Sequence, residues 1–122
     1  MTAFRDGGYD TGVALTDLAA YVVVKRNSDD KVVLATAGTD AIVGVVEKPG
    51  KQDALVSYAR VNGQGSFKVR TGAAVAKGDE LTADAAGTAV VATPGDRVFG
   101  VARADAAEHD VVEYEKADRV AA

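Results

Sequence analysis

His109 is the residue of this chain that comes closest to a catalytic group, because Glu108 and Asp110 flank it. An imidazole beside carboxylates can act as a general base. The histidine falls in a predicted loop, however, and the chain has no cysteine and no serine in a nucleophile-elbow setting. A solvated loop histidine is therefore the favoured interpretation, and we expect neither a catalytic residue nor an enzyme.

The ligand-binding motifs are incomplete. Gly50-Lys51 lacks the further glycine spacing and the following Ser or Thr of a phosphate loop. Residues 27–30, Asn-Ser-Asp-Asp, form a turn by composition and supply too few oxygens for a calcium site. One histidine and no cysteine give no transition-metal ligand set. We therefore expect no cofactor and no metal.

Length and charge narrow the class further. A chain of 122 residues suits one domain, and its net charge of −4 comes without a basic run. Nucleic-acid binding needs Lys and Arg grouped over phosphates, so it is disfavoured. No apolar run approaches the roughly 20 residues of a membrane span, and the start lacks the apolar region of a signal peptide. We expect a protein made in the cytoplasm that binds neither nucleic acid nor membrane.

An internal repeat organises the sequence. Residues 38–47 correspond to residues 94–103, and Val45 and Val101 lie 56 residues apart. The same spacing pairs Asp40 with Asp96, Gly44 with Gly100, Tyr58 with Tyr114, and Leu34 with Val90. The pseudo-repeats run over about 18–62 and 74–118. Two copies are too few for a solenoid, which needs about three.

Alternating side chains predict extended structure in both copies. Val56, Tyr58 and Arg60 share one face of a strand, as do their counterparts in the second copy. Asn62-Gly63 predicts a hairpin between this strand and the next. The mid-strand glycines Gly44 and Gly100 predict a bulge or a close backbone approach. The fold class is all-β, a small barrel or sandwich of about nine short strands.

Residues 1–17 are predicted to form an extended N-terminal arm in front of a single β domain over 18–122. The arm is rich in glycine and has few apolar residues. An extended segment can add to an exposed sheet edge of another chain, where its side chains give specificity. The residues expected to contact a partner are Phe4, Arg5, Tyr9, Val13 and Leu15.

Five motifs together resemble the capsid decoration, or cement, proteins of tailed phages. They are Ala-Tyr-Val-Val-Val at 20–24, Ile-Val-Gly-Val-Val at 42–46, Gly-Ser-Phe-Lys-Val-Arg-Thr-Gly at 65–72, Ala-Lys-Gly-Asp-Glu-Leu-Thr at 76–82, and Val-Phe-Gly-Val-Ala-Arg-Ala at 98–104. The resemblance implies a non-enzymatic homotrimer on the outer capsid surface of the virion. Its partner would be the major capsid protein, whose lattice it would stabilise.

Two other interpretations stay open. A small β-barrel binding or carrier module without catalytic activity would also fit the Gly-Asp turn at residues 78–79. A carrier would present a modifiable lysine at a hairpin tip, whereas Lys77 precedes a glycine, which disfavours that version. An enzyme with an unrecognised site is the third possibility.

Overall fold

The computed structural model describes residues 9–62 and 65–122, which form ten strands in two antiparallel sheets. The strands are β1 (Tyr9–Val13), β2 (Val23–Arg26), β3 (Val32–Leu34), β4 (Ile42–Val46), β5 (Leu55–Arg60), β6 (Ser66–Arg70), β7 (Glu80–Ala83), β8 (Ala89–Val91), β9 (Arg97–Ala102) and β10 (Val111–Val120). The predicted all-β class is confirmed, as an open, sandwich-like pair of sheets. None of the described residues belongs to a helix that could cross a membrane.

The two sheets have the same topology. Sheet 1 has the order β1-β5-β4-β2-β3, and sheet 2 has the order β6-β10-β9-β7-β8, so every strand of sheet 1 has a counterpart five strands later. Register agrees as well, since Val45 lies opposite Ala59 and Val101 lies opposite Glu115. The sequence repeat is therefore a repeat of whole sheets, and it begins at β1, inside the segment expected to be an arm.

One pairing within the predicted repeat is wrong by a residue. Leu34 lies opposite Val24, and Val91 lies opposite Leu81, so the counterpart of Leu34 is Val91 and not Val90. The spacing is thus 57 residues through β3 and β8, and 56 residues from β4 and β9 onward. From the sequence alone Val90 fits the position of Leu34 as well as Val91 does, because both faces of β8 carry apolar residues.

The one-residue difference in spacing arises in the turn that follows β3 in sheet 1 and β8 in sheet 2. In sheet 1 the backbone N–H of Thr36 donates to Asp40 over 2.9 Å, and in sheet 2 that of Thr93 donates to Asp96 over 3.0 Å. Both threonine hydroxyls donate to the same carboxylates. The same Thr–Asp turn therefore closes both units, with one residue fewer in the second.

The hairpin predicted from Asn62-Gly63 does not form. β5 lies between β1 and β4 in sheet 1, whereas β6 lies beside β10 in sheet 2. Both edges of β5 already have partners, so the chain must cross to the other sheet after Arg60. Gly63 itself lies outside the described residues.

Each sheet builds a core on one face. We call the face with the tyrosine the inner face; it carries Val24, Val46, Val56 and Tyr58 in sheet 1, and Leu81, Ala102, Val112 and Tyr114 in sheet 2. Each sheet curls over this face, because Ala14 after β1 bridges Val32 in β3, and Thr71 bridges Ala89 in the same way. These bridges bring the two edges of each sheet together at one end.

The mid-strand glycines lie under the inner tyrosines. A Cβ atom on Gly44 would be 2.7 Å from Cδ1 of Tyr58, and one on Gly100 would be 2.9 Å from Cε2 of Tyr114. Real Cβ atoms do not approach that closely, so each ring needs a glycine beneath it. The predicted close backbone approach is confirmed at Gly44, where a Cβ would first meet the carbonyl oxygen of Ala59, whereas at Gly100 the nearest group is the ring of Tyr114.

The two sheets stack in the same orientation. The opposite, outer face of sheet 1 carries Val23 and Val45, which are fully buried in one cluster with Tyr114 of sheet 2. Tyr9 packs edge-on against Phe67 of β6, with ring centroids 6.1 Å apart. The outer face of sheet 1 thus covers the inner face of sheet 2, which is a head-to-tail and not a face-to-face pairing.

Candidate partner-binding surfaces

Three of the five residues predicted to contact a partner can be placed. Phe4 and Arg5 lie outside the described residues. Tyr9 is 39% exposed at the start of β1, and Nζ of Lys116 lies 5.6 Å from its ring centroid. Val13 is half-buried at the end of β1, and Leu15 is exposed just beyond it.

The described part of the predicted arm belongs to the β domain. β1 pairs with β5 along its whole length, and the guanidinium of Arg26 donates to the carbonyl oxygen of Thr11 over 2.7 Å. Ala14, directly after β1, is fully buried. The arm was expected to pair with a sheet edge of another chain, whereas Tyr9–Val13 pair with the chain's own sheet.

Exposed apolar side chains gather at one end of sheet 1. Leu55 begins β5 opposite Val13, and its 75% exposure is the largest among the big apolar residues of the described ranges. With Leu15, which is 36% exposed, these residues form what we call the Leu55 patch. In sheet 2, Arg70 lies opposite Val111 at the corresponding position, so the apolar pair occurs in sheet 1 alone.

The outer face of sheet 2 is a charged surface. Glu80 and Glu115 lie on either side of Val101, at the positions that Val23, Val45 and Ala59 hold in sheet 1. Exposed arginines accompany the two acids. The contacts are Arg119 Nε to Glu80 at 2.9 Å and Arg103 Nη1 to Glu115 at 3.7 Å.

A cleft of about 330 Å³ opens at the inner face of sheet 1. We call it the sheet 1 cleft; its polar lining is Asp10, Tyr58, Arg60 and Asn62, with Arg97 and Asp118 from sheet 2. Arg26 donates to the Tyr58 hydroxyl over 3.0 Å, and that hydroxyl donates to Asp10 over 3.2 Å. The cleft therefore offers charges of both signs close to an apolar floor.

The hydroxyl of Tyr58 stays protonated in this setting. Burial raises the pKa of Tyr58, and the neighbouring Asp10 carboxylate adds to the rise, although Arg26 acts in the opposite direction. A neutral hydroxyl that both donates and accepts hydrogen bonds suits polar recognition. It does not supply a nucleophile at neutral pH.

His109 lies in a turn. Its φ of 68° is the same as that of Asp53, the residue at the corresponding turn of sheet 1. Its backbone N–H donates to Thr71, as that of Asp53 does to Ala14, and its ring is exposed, 3.5 Å from Glu108. In both copies of the repeat, the residue at this position forms the turn through its backbone conformation and its backbone hydrogen bond. Across residues 9–62 and 65–122, no three His, Cys, Asp or Glu side chains are grouped as metal ligands.

Comparisons with known proteins add one finding. The fold is similar to that of a phage head fiber base. The crystal structure of the N base of head fiber gp8.5 from bacteriophage phi29 superposes with a TM-score of 0.71, over 89% of this chain and 92% of that one, at 24% sequence identity. No protein-family model matches the chain, and a search of curated proteins finds no match. At this identity the likeness to the head fiber base shows a common fold.

The sequence did not point to the Leu55 patch or to the sheet 1 cleft. A signal for both was available in the repeat. Near the patch Val13 corresponds to Arg70, and at the cleft Asp10 corresponds to Phe67. Positions where the two copies differ in polarity are where two similar sheets must meet different surroundings.

Proposed function

We propose that this protein is a structural component of a tailed-phage head, bound as a homotrimer to the outer surface, where it stabilises the major capsid protein lattice. The observation that carries the proposal is the fold, which over nearly the whole chain is similar to that of a phage head fiber base. The sequence motifs support it independently, because they resemble those of capsid decoration proteins.

Physical reasoning explains how such a protein stabilises a head. A ligand that binds the assembled lattice and not its dispersed subunits shifts the equilibrium toward assembly. The protein needs a rigid body with a contact surface for this role, and it needs no catalytic group. Two curled sheets with tandem cores provide the rigid body.

The Leu55 patch is the proposed contact with the major capsid protein. An exposed apolar surface on a soluble domain commonly marks an interaction site. The patch adjoins β1, which is an edge strand of sheet 1. The N-terminal residues, including Phe4 and Arg5, are proposed to extend the same contact, since an edge strand can pair with another chain.

Phage heads that lack the protein provide the test. Purified heads would be incubated with increasing amounts of the chain, and binding and heat-induced DNA release would both be measured. Saturable binding with a higher release temperature is the expected result. Binding without a higher release temperature would favour a simple attachment base, as the head fiber likeness allows. No binding would contradict the proposal and favour the small binding module.

A matched pair of variants tests the contact itself. Leu55→Lys should leave the melting temperature unchanged, because the side chain is 75% exposed, and should weaken head binding about tenfold or more. Val111→Lys changes the corresponding position of sheet 2 and should bind heads like the unchanged protein. Equal binding of both variants would remove the Leu55 patch from the contact.

A further inference from the structure

The stacking of the two sheets inside one chain defines a docking mode. The outer face of sheet 1 closes the inner opening of sheet 2. At its rim, Tyr9 lies against Phe67 and Lys116. Beside it, Val45 and Ala59 are almost completely buried, with exposures of 0% and 1%.

Sheet 1 has the same opening, and there it is the sheet 1 cleft. The strand registers place Asp10, Tyr58 and Arg60 where sheet 2 has Phe67, Tyr114 and Lys116. Of these three residues of sheet 2, Phe67 and Lys116 contact Tyr9. The position that Tyr9 fills in sheet 2 is therefore a cleft in sheet 1.

Sheet 2 also has the matching outer face, where Ser66 and Glu115 are exposed and Val101 is half-buried. Ser66, Val101 and Glu115 occupy the positions of Tyr9, Val45 and Ala59. Tyr9 and Ala59, which pack within the chain, are thus replaced by a serine and an acid, whereas the valine is kept. The cleft lining carries charges of both signs, with Asp10 and Arg60 from sheet 1 and the ion pair Arg97–Asp118, 2.8 Å apart, from sheet 2.

We propose that a second copy of this chain docks the outer face of its sheet 2 into the sheet 1 cleft, repeating the intrachain stacking between chains. Glu115 of one copy then approaches Arg60 of the next, because Arg60 and Glu115 correspond to Lys116 and Ala59, residues on the two sides of the intrachain contact. The contact is heterologous, so repeating it closes a ring if the rotation allows. This inference deepens the homotrimer of the proposed function by naming the surfaces that join its subunits.

The intrachain stacking selects the second copy as the occupant, because its sheet 2 carries the outer face that corresponds to the one already packed in this way. Opposite charges across an interface fix register and exclude wrong partners. The competing explanation is that the acids on sheet 2 end the stacking, as polar outer faces do in the terminal units of repeat proteins. That explanation predicts a monomer in solution.

Cross-linking tests the geometry directly, because the chain contains no cysteine. Arg60→Cys and Glu115→Cys would be combined in one chain and treated with a short bifunctional maleimide. The two variants would also be made singly and mixed, so that a link between the two positions must join two chains. Covalent oligomers are expected. The control combines Arg60→Cys with Glu108→Cys, which lies in a turn, and should stay largely uncross-linked.

Charge reversal tests the energetics by sedimentation over a concentration series. Glu115→Arg and Arg60→Glu should each weaken self-association about tenfold or more, because like charges would face each other. The double variant should recover most of the loss, and Glu108→Arg should have no effect. Melting temperatures would verify that every variant folds.

A monomer at all concentrations, or association that ignores both reversals and gives no specific cross-link, would overturn the inference. Head binding is measured separately from self-association. A chain that binds heads without this interface keeps the proposed function and refutes the inference, and a chain that self-associates without binding heads does the reverse.

Discussion

The outer faces of the two sheets occupy the same positions in the same fold, yet one is core and the other is surface. In sheet 1 the face holds Val23, Val45 and Ala59, which are 0%, 0% and 1% exposed. In sheet 2 the corresponding residues are Glu80, Val101 and Glu115, with exposed arginines beside both acids. Strand order and register do not decide which face is buried; the side chains at these positions do.

The comparison also explains why the sheets stack head to tail. A face-to-face sandwich would bury both inner faces against each other. Here each inner face already covers itself by curling, through the Ala14–Val32 and Thr71–Ala89 bridges. The apolar surface that remains is the outer face of sheet 1, and it packs over the open side of the inner face of sheet 2.

The largest predicted effect comes from giving the buried face a charge. Val45→Lys would place an ammonium group in the cluster between the sheets without a partner, at a cost of about 3–5 kcal/mol. Val101→Lys makes the same change at the corresponding half-buried position, between Glu80 and Glu115, and should change stability by less than about 1 kcal/mol. Chemical denaturation of both variants measures the difference. Similar losses would show that the two faces are not differently buried.

A second prediction concerns the glycines beneath the tyrosines. A Cβ on Gly44 would first meet the backbone carbonyl oxygen of Ala59, whereas one on Gly100 would first meet the ring of Tyr114. Alanine at either position should cost about 1–3 kcal/mol through overpacking, and Gly44→Ala should cost more because a sheet backbone moves less easily than a ring.

The Gly100→Ala penalty should shrink in a Tyr114→Leu background, since the obstructing ring is then absent. Thermal or urea unfolding of the single and double variants gives the coupling between the two positions. A Gly100→Ala protein that melts like the unchanged one would show that the glycine is incidental.

The smallest effect is in the hairpin turns, where sheet 1 has Asn27 and sheet 2 has Asp84. Both side chains accept two backbone N–H groups, and Asp84 also accepts the Thr88 hydroxyl over 2.6 Å. Although burial opposes it, these hydrogen bonds lower the pKa of Asp84 from its usual 3.8. A carboxyl with a lowered pKa in the folded state stabilises the fold above its unfolded pKa, and this contribution is lost as the pH falls through the folded value.

Asp84→Asn should therefore cost about 0.5–1.5 kcal/mol at neutral pH and nothing once the pH is well below 3.8. Stability curves of both proteins between neutral and strongly acidic pH should converge at the acidic end. Asn27→Asp makes the converse change at the corresponding turn of sheet 1. Parallel curves for Asp84→Asn and the unchanged protein would refute the electrostatic explanation.

Local patterns predicted a large part of this fold. Alternation at Val56, Tyr58 and Arg60 correctly placed these residues on one face, and the spacing of Gly44 and Gly100 correctly predicted the close approach. Such features depend on neighbours in the strand or on the repeat itself. They are visible without knowing how the sheets meet.

Features that depend on distant partners were missed. β1 contains few apolar residues, and it becomes a strand because β5 has a free edge for it. The Asn62-Gly63 signal was overridden because both edges of β5 were taken. The Leu55 patch and the sheet 1 cleft arise from differences between two stacked copies, which no single strand pattern contains.

Cryo-electron microscopy of phage heads assembled with and without this protein tests the central claim most directly. The account predicts extra density on the outer surface of heads that contain it, into which the stacked sheets fit with the Leu55 patch facing the major capsid protein. Heads with identical outer surfaces in the two preparations, from a phage that produces the folded protein, would contradict it.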